Sequence, residues 1–257
     1  MSIDLSIIVP GIRPYNWQRL YESVLNSTNK TWEMIFVGPY SPPDYFNDLN
    51  NILYIEDWGS PIRAQQIGLT HCKGEWISWM ADDGVFLPNG LTLCFEQISL
   101  IKDKYKEIIM CKYHEGDKYN PEMLDNKYYT MGYHPATSSR YMPPHYFILM
   151  EGIIYRDLLL DMGGWDCQFE ACPMSYADLG FRLQNSGVRF HIPNDFIVSV
   201  GHMPGVSGDH GPIYYAQTFH DEPLYHSIFD NQTCLQRNKI DINNWINTPN
   251  KWTRRFH

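Results

Sequence analysis

Two adjacent carboxylates, Asp82 and Asp83, end an apolar run and are followed at once by Gly84. The run, residues 76–80 (Trp-Ile-Ser-Trp-Met), alternates and is rich in aromatic rings, which predicts a buried strand. In an open α/β sheet, ligands bind just beyond the carboxyl ends of the strands. Carboxylates placed there hold a divalent cation against a diphosphate. Taken alone, the same residues also spell an ordinary Asp-Asp-Gly turn. The surroundings decide between the two.

The elements that must position this pair can be read from periodicity. Residues 5–9 predict a buried strand ended by Pro10-Gly11, and Asn16 is placed to cap a helix carrying Trp17, Leu20, Tyr21, Val24 and Leu25 on one face. A second strand over 32–37 is cut by Gly38-Pro39, and a short third follows over 52–55. Ser60-Pro61 opens a helix to about residue 70, with proline tolerated at its first position. After the strand at 76–80, Asn89 caps a helix to about residue 101, and a further strand follows near 108–111. Such alternation implies an α/β protein with a mostly parallel sheet.

Beyond residue 111 the pattern lapses. Residues 112–144 are polar, tyrosine-rich and aperiodic, which is more often a functional loop than a plain connection. Gly163-Gly164-Trp165-Asp166 reads as a turn, residues 176–186 as a helix ended by Gly187, and residues 189–192 and 196–200 as short strands. From about residue 217 onward the chain predicts only helical turns or a tail.

Composition narrows the partners. The 257 residues suffice for one large domain, or a domain with a small appendage. A net charge of −9 argues against nonspecific nucleic-acid binding and against an anionic membrane surface. An anionic nucleotide would then need a metal to be tolerated. The six cysteines form no CxxC pair and read as free thiols of a reducing compartment. The start lacks a basic leader, and no apolar run nears the roughly 20 residues that span a bilayer. The expectation is a cytoplasmic protein with no integral membrane segment.

Together these segments resemble family 2 glycosyltransferases. The opening strand ending in proline matches Ser6-Ile7-Ile8-Val9-Pro10, and the third helix and fourth strand match Ser60-Pro61-Ile62-Arg63-Ala64-Gln65-Gln66-Ile67-Gly68 and Lys73-Gly74-Glu75-Trp76-Ile77. The metal-binding DxD motif and its downstream proline fall on Ala81-Asp82-Asp83 and Pro88. The acceptor-side segment resembles Gly163-Gly164-Trp165-Asp166 with Asp178-Leu179-Gly180-Phe181-Arg182-Leu183, and Val200-Gly201-His202 resembles a strand end that supplies a ligand histidine. Each motif alone is weak; five in the right order are specific.

The resemblance implies a GT-A fold: a single Rossmann-like, mostly parallel central sheet flanked by helices, with an irregular acceptor-side loop and a C-terminal extension. It divides the chain into a glycosyltransferase domain over 1–215, with a nucleotide-binding half to about 111 and an acceptor-binding half over 112–215, and an extension over 216–257 packed on it. The implied reaction is metal-dependent, inverting transfer of a sugar from a nucleotide-diphosphate sugar, a UDP-sugar first, to a hydroxyl of a glycan, lipid-linked or protein acceptor. Mn²⁺ or Mg²⁺ would be held by Asp83 and His202. Pro10, Gly11, Arg13, Gly38, Arg63, Ala81, Asp82 and Asp83 fall on the donor side, and Trp165, Asp166 and His210 on the acceptor side.

Departures from the family pattern matter. Ala81 replaces the first DxD aspartate, so Asp83 is the expected direct ligand, with Asp82 acting through water or the ribose. Gly38-Pro39 replaces the Asp pair that often reads the base, and Ser175-Tyr176 falls where the family carries its catalytic Glu-Asp. Asp178 is then the first candidate for the base, and Asp166 the second. Asp209-His210 is an alternative ligand or substrate contact. Two other classes are weighed. A nucleotidyltransferase wants a Gly-rich basic loop, for which Gly11-Ile12-Arg13-Pro14 is too thin. A catalytically weak sugar-nucleotide- or glycan-binding protein would keep the cation site and lose the base.

Overall fold

A computed structural model describes residues 2–115, 129–130, 148–200, 210–229 and 239–256. Alternation along β1 (Leu5–Pro10) sends Leu5, Ile7 and Val9 to one face and Ile8 to the other. Both faces are covered, as a parallel sheet requires. On the first face lies α1 (Pro14–Leu25), whose Trp17 ring stacks on Phe36 of β2 (Trp32–Gly38) with centroids 4.1 Å apart. This helix starts at Pro14 rather than at an Asn16 cap, because the fixed φ of proline suits a first helical turn.

Next come β3 (Ile52–Glu56) and α2 (Pro61–His71), with the Ser60 hydroxyl capping α2 by accepting from the Arg63 N–H at 3.2 Å. Strand β4 (Trp76–Trp79) follows, as the aromatic alternation predicts. A turn then redirects the chain: the Gly84 N–H donates to the Ala81 carbonyl at 2.9 Å, placing Asp82 and Asp83 at the bend. What leaves the bend is β5 (Gly84–Phe86), which runs into α3 (Gly90–Ile98). Asn89 precedes α3 at φ 60° without a capping side-chain bond, so it is a left-handed turn residue and not the expected cap.

The rest of the chain supplies β6 (Glu107–Met110), β7 (Lys112–Glu115), β8 (Tyr129–Thr130), β9 (Gly152–Tyr155), α4 (Arg156–Asp161), α5 (Cys172–Asn185), β10 (Arg189–His191), β11 (Phe196–Val200), α6 (Gly211–Ala216), α7 (Glu222–Phe229) and α8 (Thr253–Phe256). The described strands form two sheets. Seven are ordered β10-β6-β9-β4-β1-β2-β3, and four are ordered β5-β11-β7-β8. In the larger sheet β1 pairs in parallel with β2 and β4, while β9 runs antiparallel between β4 and β6.

The single continuous Rossmann-like sheet of the GT-A expectation is therefore corrected to two separate sheets. Two bends in the chain cause this. The Asp82-Asp83-Gly84 turn throws β5 out of the large sheet to pair antiparallel with β11, and Cys111 alone separates β6 in one sheet from β7 in the other. Sequence periodicity shows where a strand lies but not which sheet it joins.

Past α7, residues 239–256 pack on the first half of the chain. Gln66 Nε2 donates to the Ile242 carbonyl at 2.9 Å, and the Trp252 N–H donates to the Trp58 carbonyl at 2.7 Å. Cys72, Cys94, Cys111, Cys167 and Cys172 are free thiols; Cys234 lies outside the described residues. Among the described residues, no helix is long and apolar enough to cross a membrane. Most of the expected 112–144 loop also lies outside them.

Candidate active site

A cavity of about 310 Å³ opens at the carboxyl ends of β1, β2 and β4. Its floor is backbone at close quarters. A Cβ on Gly38 would stand 1.8 Å from the Gly11 carbonyl oxygen, so only glycine lets the ends of β1 and β2 meet there. Pro10, Gly11, Arg13, Gly38 and Ala81, all expected on the donor side, line this cavity with Asp83 and His210.

The two carboxylates at the bend have different partners. Asp82 is fully buried behind the wall, where its Oδ2 accepts from the backbone N–H groups of Ile12 at 2.7 Å and Arg13 at 2.6 Å. Its Oδ1 accepts from Arg13 Nε at 2.7 Å. Asp82 thus shapes the loop after β1. Asp83 stands in the wall itself, with Arg13 Nη1 at 3.1 Å and His210 Nε2 at 3.8 Å from its Oδ2.

Other expected site residues lie elsewhere. The Arg63 guanidinium binds Asp57 Oδ1 at 3.0 Å, donates to the Trp245 carbonyl at 2.6 Å and to Thr248 Oγ1 at 3.1 Å, and is absent from the cavity lining. Trp165 is fully buried, edge-on to Trp79 at 5.2 Å. Asp166 accepts from the Gln168 N–H at 2.9 Å and from Asn244 Nδ2 at 3.2 Å, also away from the lining. Asp178 is wholly buried on α5, where its Oδ2 accepts from Arg182 Nε at 2.8 Å, and burial pushes its carboxyl up against the pull of that arginine. His202 and Asp209 lie outside the described residues.

Residues not assigned to the donor or acceptor side from the sequence complete the wall. Glu151, just before β9, lines the cavity at 8% exposure, and its Oε2 meets no hydrogen-bond partner among the described residues. Burial first, and the Asp83 charge second, push its carboxyl well above the usual range. Gln65 of α2 and Tyr176 of α5 meet beside the cavity, with Gln65 Nε2 donating to the Tyr176 hydroxyl at 2.5 Å. Arg255 and Phe256 of α8 also reach the lining. Glu151 had a signal, since it is a lone charge inside the apolar stretch 146–154. Gln65 and Arg255 had none.

A carboxylate suits Mn²⁺ or Mg²⁺ and an added imidazole favours Mn²⁺; Asp83 and His210 present that pair in one wall. Arg13 already holds the same Asp83 oxygen at 3.1 Å, so a cation there would compete with that ion pair. A second group, Glu170, His220 and Asp221, brings potential ligand atoms within 4.8 Å of one another. Most of those oxygens are already engaged, Glu170 Oε1 excepted. Asp221 accepts from the Ala171 N–H at 2.6 Å and from His220 Nδ1 at 2.7 Å, and Glu170 accepts from Trp252 Nε1 at 3.2 Å and from Arg254.

The chain is similar in fold to solved structures of S. aureus TarS. TarS 1–349 in complex with UDP aligns at 14% identity and TM-score 0.57 over 79% of this chain and 61% of that one. A longer TarS structure gives 14% and 0.57 over 79% and 37%, and TarS 1–349 gives 13% and 0.55 over 90% and 72%. The chain thus spans less than two thirds of the length of the first two. The likeness is one of fold. No protein-family model matches the chain, and no curated protein does.

Proposed function

We propose that the chain is a glycosyltransferase that takes a sugar from a nucleotide-diphosphate sugar, a UDP-sugar first, and passes it to a hydroxyl acceptor. The observation that carries this reading is the cavity at the carboxyl ends of β1, β2 and β4 with Asp83 in its wall, in a fold shared with a structure holding UDP. The expected division into a transferase domain over 1–215 and an extension over 216–257 is part of the same proposal.

In this reading Asp83 with His210, and His202 as the resemblance implies, holds Mn²⁺ or Mg²⁺. A cation held there would supply Lewis-acid charge for the diphosphate leaving group. The protein's own groups do the positioning. Asp82 fixes the Ile12-Arg13 loop so that the nucleotide has a rigid floor. Arg13 and Arg255 in the wall bring positive charge to a chain that is otherwise acidic. Asp178 and Asp166, each held by neighbours away from the lining, shape the turn and helix of the acceptor side.

Thermal-shift measurement with UDP, with and without Mn²⁺, tests the proposal. The expected result is stabilisation by UDP that depends on metal and is abolished by Asp83→Ala. Stabilisation that survives both EDTA and that substitution would overturn the cation bridge. Donor turnover with Mn²⁺ separates a transferase from a protein that only binds the nucleotide sugar.

A further inference from the structure

One stretch of the cavity wall offers hydrogen-bond acceptors that the described residues leave unanswered. Glu151 and Gln65 are 8% and 1% exposed, yet Glu151 Oε2 and Gln65 Oε1 have no hydrogen-bond partner among them. Leaving a buried polar oxygen unpaired forfeits its hydration with nothing in return, and native chains keep few such groups. Two in one cavity call for a ligand.

The surroundings constrain what that ligand is. Gln65 turns its amide nitrogen to the Tyr176 hydroxyl at 2.5 Å, which leaves its oxygen as the unpartnered group. Met150 and the Tyr176 ring give the same wall an apolar surface. Polar atoms set sparsely among apolar ones orient a small organic ligand. The ligand must bring hydrogens to these oxygens. A hydroxyl both donates and accepts, so it satisfies the Glu151 carboxyl whether or not that group carries a proton, which a cation does not.

We infer that Glu151, Gln65 and Tyr176 form a subsite for the hydroxyls of the transferred sugar, in the same cavity as Asp83. This rests on the nucleotide-sugar reading above and names the part of the substrate it leaves open, a polyhydroxylated pyranose. Tyr176, which falls where the resembled family carries its catalytic aspartate, here serves sugar recognition through Gln65.

Calorimetric titration of the full chain with Mn²⁺ and UDP, UDP-glucose, UDP-galactose and UDP-N-acetylglucosamine tests this. At least one UDP-sugar is expected to bind about tenfold or more tightly than UDP, as a pair of new hydrogen bonds allows. Glu151→Leu is expected to bring that ratio close to one with the Kd for UDP unchanged. Because it replaces an unpartnered buried carboxyl, the variant should melt no lower than the wild type. Tyr176→Phe, which keeps the ring, is the second variant and should also lower the ratio. A ratio that survives both substitutions overturns the subsite, as does a wild type in which no sugar improves on UDP. Parallel loss of UDP and UDP-sugar affinity in a folded Glu151→Leu overturns it too, by placing Glu151 in the nucleotide site. A wild type that binds no nucleotide at all overturns the underlying reading and the subsite with it.

Discussion

Asp82 holds Arg13 twice, accepting from its backbone N–H at 2.6 Å and from its side-chain Nε at 2.7 Å. The same arginine then reaches Asp83 at 3.1 Å. One residue after β1 is thus tied to both carboxylates after β4, some 70 positions later in the chain. The adjacent acids have separate tasks: Asp82 builds the loop, and Asp83 faces the cavity.

Asp82→Asn should therefore cost more stability than Asp83→Asn. Asp82 is fully buried and charge-paired, and breaking a buried pair costs about 3–5 kcal/mol. Urea unfolding at constant m-value measures it. A loss below about 1 kcal/mol would mean that the Arg13 clamp contributes no more than a surface pair.

Arg63 joins α2 to the C-terminal segment rather than to the cavity. Arg63→Met should leave affinity for UDP within about threefold of wild type while costing about 3 kcal/mol of stability. It should also open residues 239–256 to limited proteolysis, since the bonds to the Trp245 carbonyl and Thr248 are lost. A large loss of UDP affinity, with the segment still protected, would return Arg63 to the donor site.

At acid pH, Glu107 is the group to watch. The His191 hydrogen bond at 2.8 Å, with the backbone N–H groups of Asp103 and Lys102 and the Arg189 charge, pulls its carboxyl from 4.5 down to about 2, against burial. A depressed folded-state pKa stabilises above the unfolded value and loses that contribution as pH falls through the folded one. Melting temperature should thus drop between about pH 4.5 and pH 2, and Glu107→Gln should flatten that limb. An unchanged acid limb in the variant would assign the acid transition to other carboxylates.

Much of this was legible in the residues. Strand β4, the bend after it and the Ser60 cap of α2 follow from local rules of alternation, turn chemistry and capping. So does the cavity position of Pro10, Gly11, Gly38 and Asp83, since strand ends are where α/β ligands bind. What escaped is what depends on distant partners. Arg63 on a donor-side helix reads as a phosphate contact until Trp245 and Thr248 arrive from about 180 positions away to engage it. Asp178 reads as a helix-start base from the residues alone, and its buried ion pair with Arg182, one turn on, shows only in the structure. The assignment of β5 and β7 to a second sheet likewise depends on β11, more than 80 residues later.

The cavity wall runs from Pro10 to Phe256, so the two sides of the site are nearly the whole chain apart in sequence. Closing so long a loop carries an entropic cost that no local element offsets, and contacts of such span form late in folding. The ligand pocket is therefore a late product of folding. Nucleotide binding, where it occurs, should report on completion of the fold as well as on chemistry, and a chain cut before α8 can keep its sheets and yet lack one side of its site.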